Sequence, residues 1–358
     1  MKGLVKKAKQ ALIGNEAYSA GKIFYMQNVQ QVQKKDLKIY ELENSNGMIL
    51  RILNLGAAVF QLLVKDHKGK LIDVAVGPKE PETFITTTYE EENRCFGASV
   101  GRYAGRISNG TFQLEGKEYQ LSEKDGVHLH GGDRGFQHKL WNLEEQSHKS
   151  LSFSYTSVDG EEGYPGELKV MVIYTLTDDN EVVINYTAKS DKATPVNLTN
   201  HTYFNLNGRD DITDHELFLS AEKILQVDDK LRPTGEYVSL GAHKKNFHPS
   251  KPIGMTEVDY VYVLKKQNSV AVRLFAPQTQ IGLEITTNQP AVVVYIPKNL
   301  PQLWEYKTKP VDFPSVCLEA QNFPDAPNHQ AFPNSILEPG KKYLNRTVFK
   351  FTLGENDL

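Results

Sequence analysis

The chain has 358 residues, a formal charge of −3, 24% charged residues and two cysteines, Cys95 and Cys317. It is long enough to bury a core without staples, its cysteines form no disulfide framework or CxxC pair, and its charge argues against a large nucleic-acid or anionic-membrane surface. No run approaches the ~18 apolar residues of a membrane-spanning helix.

The first residues, MKGLVKKAKQALIGNEAYSAG, lack the continuous apolar core of a secretory signal. Leu4, Ala8, Leu12 and Ile13 recur at helical spacing, so a short amphipathic surface helix is expected within an extension of unknown role over residues 1–35. From about residue 36 the pattern changes to short strands between turn residues. Phe112–Leu121 reads as a hairpin, with Phe112 and Leu114, a turn at Glu115-Gly116-Lys117, then Tyr119 and Leu121. In Glu167–Thr177, Leu168, Val170, Val172, Tyr174 and Leu176 share one face. Met171 and Ile173 make the other face partly apolar, which predicts a strand covered on both sides. Glu181–Ala188 and Val258–Leu264 are rich in Val, Ile and Tyr, and Phe349, Phe351 and Leu353 alternate near the end. Convincing helical periodicity is nearly absent after residue 36. The 26 glycines and 17 prolines are spread throughout, as many tight turns require. With no repeat and no composition break, residues 36–358 are expected to form one all-β domain, a large sandwich.

Four segments concentrate chemically useful side chains: VGRYAGRISN with Arg102 and Arg106, VHLHGGDRGF with His130, VNLTNHTYFNL with His201, and CLEAQNFPDAPN with Glu319. Each residue also has a plain structural role open to it. A histidine in a β protein is commonly a hydrogen-bonded structural group, and arginines cover sheet edges. A glutamate beside Cys317 and Leu318 is costly to bury unpaired. The remaining histidines show no metal-ligand spacing, and no GxSxG elbow, P-loop or dinucleotide fingerprint occurs. Two histidines, a glutamate and an arginine supply acid, base and orienting cation for proton transfer on a polyhydroxylated substrate. By itself that inventory would also suit a glycosidase or a lyase.

Read together, the segments resemble the galactose mutarotase (aldose 1-epimerase) family. GRYAGRI at 101–107, LHGG at 129–132, DGEEGYPGEL at 159–168, NLTNHTYFNL at 197–206, PTGE at 233–236 and LEAQNFPDAPNH at 318–329 occur in the family's order. The resemblance implies a large antiparallel β-sandwich and an isomerase that interconverts the α and β anomers of a free sugar. It implies a cytoplasmic enzyme that takes a small sugar and uses neither metal nor cofactor. By position, Glu319 matches the general base, His201 the general acid and His130 a second histidine near the ring oxygen. Arg106 and Asp259 match sugar-binding residues. The chain departs from common family residues at Gly105, Tyr260 and Ile296-Pro297-Lys298, which places substrate identity apart from the acid–base chemistry. Two alternatives remain beside this reading. One is a hexose-phosphate 1-epimerase, for which Lys298 and Arg102 are candidate phosphate cations. The other is a non-catalytic carbohydrate-binding protein on the same fold.

Overall fold

The alternating runs form two large antiparallel sheets in a computed structural model that describes residues 32–265 and 269–354. The expected helix around Leu4–Ile13 lies outside the described residues. All the sheets belong to the unit Leu37–Leu358.

One sheet has nine strands. In spatial order they are Asn142–Gln146, Ser150–Ser157, Leu168–Leu176, Glu181–Ser190, Tyr343–Leu353, Ile281–Thr287, Val270–Ala276, Glu216–Leu219 and Lys251–Pro252. The other has seven, in the order Pro233–Ser239, Ala221–Val227, Val258–Leu264, Ala291–Ile296, Val316–Gln321, Tyr203–Phe204 and Ala75–Val76. A four-stranded sheet (Ile39–Glu43, Ile49–Leu53, Ala58–Lys65, Leu71–Asp73) adds a third apolar face. Leu50 and Ile52, Val172 and Tyr174, and Val294 and Leu318 from these three sheets all lie in one continuous core. This is sheet-on-sheet packing, with inner faces interdigitated.

The Leu168–Leu176 strand differs from expectation. Leu168, Val170, Val172, Tyr174 and Leu176 are buried as read, but Lys169 and Met171 are exposed, so only one face is covered. Met171 lies opposite Ser154 on one neighbour and Thr187 on the other. An isolated apolar side chain among polar neighbours is ordinary on a solvated antiparallel face. The hairpin forms between Thr111–Leu114 and Lys117–Gln120. Its turn is two residues, Glu115 at φ 51° and Gly116 at φ 75°, the left-handed pair that suits the strand twist, and Lys117 already belongs to the second strand. The one described α-helix is short, Thr87–Glu92, with the Thr86 hydroxyl accepting the Tyr89 N–H at its start.

Arg102 is a structural residue. Its guanidinium is 2% exposed and donates to the carbonyls of Ser157, Val158, Pro165 and Gly166 and to the hydroxyls of Ser157 and Thr194. Burial lowers its pKa to about 10, and Glu161 opposes that shift. It ties the DGEEGYPG segment to the strand before it, and it lines neither the site cavity nor the pocket beside it. Arg102→Ala leaves these carbonyls unpaired and should cost about 3 kcal/mol or more of unfolding free energy, read by urea denaturation.

Candidate active site

The site follows from strand alternation in the seven-stranded sheet. In Val316–Gln321, Val316, Leu318 and Ala320 enter the core, so Cys317, Glu319 and Gln321 point the other way. The next strand sends Val292, Val294 and Ile296 to the core and turns Val293 and Tyr295 outward. The strand beyond it buries Val258 and Tyr262 and turns out Asp259 and Val261. Register places Val293 opposite Glu319 and Asp259 opposite Tyr295, while Tyr203 lies opposite Cys317 on the other flank. All of these outward residues except Cys317 floor a cavity of about 230 Å³.

Loops supply the walls. Arg106 begins a short strand paired with Val127–Leu129, with Leu129 opposite Arg106, which sets His130 beside it. His130 adopts φ 51°, an uncommon conformation for a side-chain-bearing residue. Its N–H donates to the Gly105 carbonyl at 3.0 Å, and its Nδ1 accepts the Gly105 N–H at 3.3 Å. With Nδ1 accepting, the neutral ring carries its proton on Nε2. Gly131 follows because a Cβ there would stand 1.9 Å from the Gly101 carbonyl oxygen. The Glu162 carboxylate then accepts the N–H groups of Asp133 at 3.1 Å and Arg134 at 3.2 Å, which holds the loop beyond.

His201 is fixed by its own backbone, donating to Ala98 and accepting from Gly97, and its ring stacks on Tyr203 with centroids 5.0 Å apart. Its Nε2 lies 3.5 Å from Glu319 Oε1. The rings of His130 and His201 meet edge to face at 5.4 Å, and Arg106 Nη2 stands 3.5 Å from Asp259 Oδ2. The structure therefore brings all five predicted residues (Glu319, His201, His130, Arg106 and Asp259) around one cavity.

Burial sets the protonation states. Glu319 is 2% exposed; desolvation first, and the neighbouring Asp259 second, push its pKa up to about 8, with Arg106 opposing. Desolvation carries His201 down to about 4. His130 falls well below the usual imidazole value, through burial and then the nearby His201 and Arg106. Between these limits Glu319 and His201 together hold one proton. His201 Nδ1 and Glu319 Oε2 are buried without a hydrogen-bond partner among the described residues. Buried polar atoms left unpaired on a cavity floor are positioned to meet a ligand's own donors and acceptors.

Donor atoms of His130, His201 and Glu319 also lie within 4.8 Å of one another, a composition able to ligate a metal ion. The remaining histidines are structural where they are buried. His128 bonds the Ser122 carbonyl and the Tyr164 hydroxyl, and His215 accepts the Leu206 N–H.

Gly105 has a different meaning in three dimensions. Its φ is +80°, and a Cβ would stand 2.7 Å from Pro324 Cγ. The glycine is thus coupled to a proline packed against the same backbone. Sequence reading missed Arg94, Tyr203, Tyr295 and Gln321, all of which line the cavity. Gln321 carried a usable signal, two residues beyond Glu319 on the same strand face. Tyr203 carried the same signal relative to His201. Arg94 and Tyr295 reach the site only through tertiary register.

The sequence model of the family described as aldose 1-epimerase matches residues 38–350. The chain is 41% identical to the galactose mutarotase of Homo sapiens over 323 residues, 84% of this chain and 90% of that protein. It is 31% identical to the aldose 1-epimerase of Escherichia coli K12, over 88% of this chain and 95% of the relative. Among solved structures, an aldose epimerase homologue from C. elegans superposes with TM-score 0.83 at 29% identity, covering 89% of this chain and 100% of that one. A galactose 1-epimerase from Lactobacillus acidophilus gives TM-score 0.77 at 26% identity, covering 91% and 98%.

The raised Glu319 carboxyl makes stability depend on pH in a direction unusual for a glutamate. The folded state keeps the proton up to about 8, whereas the unfolded chain releases it near the ordinary glutamate value of 4.5. Stability from this group is therefore full below about 4.5 and is lost as pH rises towards 8. Glu319→Gln removes that loss, so its melting temperature relative to wild type should climb between pH 5 and pH 8. A constant difference across that range would overturn the assignment.

Proposed function

The chain belongs to the aldose 1-epimerase family, and on that premise we propose that Glu319 and His201 open and reclose the ring of a free aldose between them. The protein is an isomerase that interconverts the α and β anomers of its sugar. The observation that carries the residue assignment is the pair itself. His201 Nε2 and Glu319 Oε1 are 3.5 Å apart on the cavity floor, each residue with a second polar atom unpaired.

The ionised Glu319 takes the proton from the O1 hydroxyl while protonated His201 delivers one to the ring oxygen O5. The C1–O5 bond breaks, C1 becomes an aldehyde, and rotation about C1–C2 presents its other face. The reverse transfers close the other anomer. In the empty site burial leaves the shared proton on Glu319. Sugar binding must draw it to His201, and the positive Arg106 guanidinium favours the carboxylate that results. His130 presents its Nε2–H towards the same reacting region as a neutral donor. Arg106 and Asp259 hold ring hydroxyls by their charged, bidentate-capable groups.

The substrate is a small sugar, with neither nucleic acid nor membrane as partner. Among the described residues no helix is long and apolar enough to cross a membrane. The two free buried thiols support a reducing, cytoplasmic setting. The phosphosugar alternative loses one of its two cations, because Arg102 is enclosed by backbone carbonyls away from the cavity.

Polarimetry of fresh α-D-glucose and α-D-galactose tests the reading. Glu319→Gln and His201→Asn should each lower kcat by about 10²-fold or more with folding intact by circular dichroism. Wild-type kcat/KM should be bell-shaped, falling below a limb near 4, where the pair gains a second proton, and above one near 8, where it loses its only proton. Either variant retaining a third of wild-type turnover would refute its role.

Because the same three side chains could ligate a metal, chelation is a separate test. Proton transfer needs none, so turnover should survive exhaustive EDTA dialysis. Loss with chelation and recovery on adding zinc would assign the cluster to a metal instead.

A further inference from the structure

Three residues of the reaction cavity carry a buried polar atom with no hydrogen-bond partner among the described residues: His201 Nδ1, Glu319 Oε2 and Gln321 Oε1. The first two belong to the proton-transfer pair. The third belongs to a side chain for which the acid–base chemistry has no task. Gln321 is 0% exposed, yet it lines the cavity. It stands two residues beyond Glu319 on the same strand face, roughly 7 Å along the strand.

The direction of its amide is fixed. Nε2 donates to the Ala104 carbonyl at 3.4 Å and to the Asn322 carbonyl at 3.2 Å. The Asn197 amide donates to the same two carbonyls, at 3.1 Å and 3.0 Å, so both lone pairs of each oxygen are engaged. Turning the Gln321 amide over would set its oxygen against two carbonyl oxygens, with no hydrogen between them. The network therefore assigns the nitrogen to the loop and leaves the oxygen as the free end. Gly105 completes the arrangement: a Cβ there would stand 3.3 Å from Gln321 Nε2, so a side chain at 105 would press on the amide that holds Oε1 in place.

A buried acceptor without a partner is destabilising, and its presence in a cavity calls for an occupant that supplies the missing hydrogen. The occupant must donate. The ring oxygen of a sugar and the aldehyde oxygen of its open form have no hydrogen to give, whereas each hydroxyl has one. O1 is already engaged by Glu319 in the proton transfer.

We propose that Gln321 is a specificity-determining residue whose Oε1 accepts the hydrogen of one non-reacting sugar hydroxyl, so that the enzyme reads that position as a donor. The proposal rests on the epimerase reading and adds a contact to it. Because the amide is paired with the loop before sugar arrives, the acceptor is preorganised. A sugar with no donor at that position leaves Oε1 buried and unpaired through the reaction.

The test is polarimetry of α-D-glucose beside its 2-, 3-, 4- and 6-deoxy and deoxyfluoro analogues. Each kcat/KM is divided by the uncatalysed mutarotation rate of the same sugar, which removes the electronic effect of the substituent. At one position both the deoxy and the deoxyfluoro sugar should be poorer than glucose by about tenfold or more, because fluorine keeps the size of the hydroxyl but not its hydrogen. Gln321→Met, which keeps the side-chain length without the oxygen, should shrink that penalty to below about threefold and leave the penalties at the other positions unchanged. Gln321→Asn withdraws the oxygen by one methylene and should give the same pattern, with folding of both variants checked by circular dichroism. A merely structural role would lower turnover of all the sugars alike. That result, penalties unmoved by both variants, or deoxyfluoro sugars as good as glucose at every position would overturn the proposal and leave the epimerase reading standing. Failure of the wild type to turn over glucose or galactose would reject both.

Discussion

The site depends on the burial of one carboxyl group. Glu319 sits on a strand whose six residues are all buried; Val316, Leu318 and Ala320 pack into the sandwich core, and Glu319 and Gln321 face the cavity. An ionised carboxylate in such a place is strongly disfavoured, and the protein answers in two ways. Arg106 contributes opposite charge, and His201 stands close enough to share the proton. Each of those groups requires a wall: Arg106 the short strand that pairs with Val127–Leu129, His201 the turn that leads into Tyr203–Phe204. The sheet floor therefore dictates where the loops must come.

Asn197 joins these parts. Its side chain donates to the Ala104 carbonyl at 3.1 Å and the Asn322 carbonyl at 3.0 Å and accepts the Asn322 N–H at 2.8 Å. One buried amide thus connects the Arg106 loop, the segment leading to His201 and the chain leaving Glu319. Nearby, Thr199 and Asn345 both donate to the Ala320 carbonyl. These bonds explain why NLTNH carries asparagines and a threonine around its histidine: they satisfy loop backbone groups that no sheet ladder can reach. What reads in sequence as a catalytic motif is mostly the scaffold for one ring.

That division also explains what was legible. Strands such as Leu168–Leu176 announce themselves through a two-residue period, because the pleat forces it, and Val258–Leu264 through its Val and Tyr content. The fate of the second face does not, since Met171 and Ile173 look the same in sequence whether covered or solvated. The residues of the site came from co-linear motif resemblance rather than periodicity. Arg106 and Glu319 are more than two hundred residues apart, and no local rule records that register sets Asp259 opposite Tyr295. Gly105 shows the opposite limit. In sequence it is a departure from common family residues; in space it is a left-handed residue against Pro324, so a side chain there would have to displace that packing.

A one-proton pair is well matched to a reaction whose product differs from its substrate only in configuration. Opening moves a proton from O1 to the carboxylate and another from the imidazolium to O5; closing returns both. The enzyme ends in the state in which it began, whichever anomer entered, and neither direction needs exchange with solvent. Groups with independent, ordinary pKa values would instead be ionised as carboxylate and largely neutral imidazole at neutral pH, with no proton to deliver to O5. Burial couples them, because a buried site cannot easily hold net charge but can hold one proton in either of two places. The dry floor that makes Glu319 costly thus keeps the one proton in the site, on the carboxyl at rest, and leaves it to the bound sugar and Arg106 to move it to the imidazole.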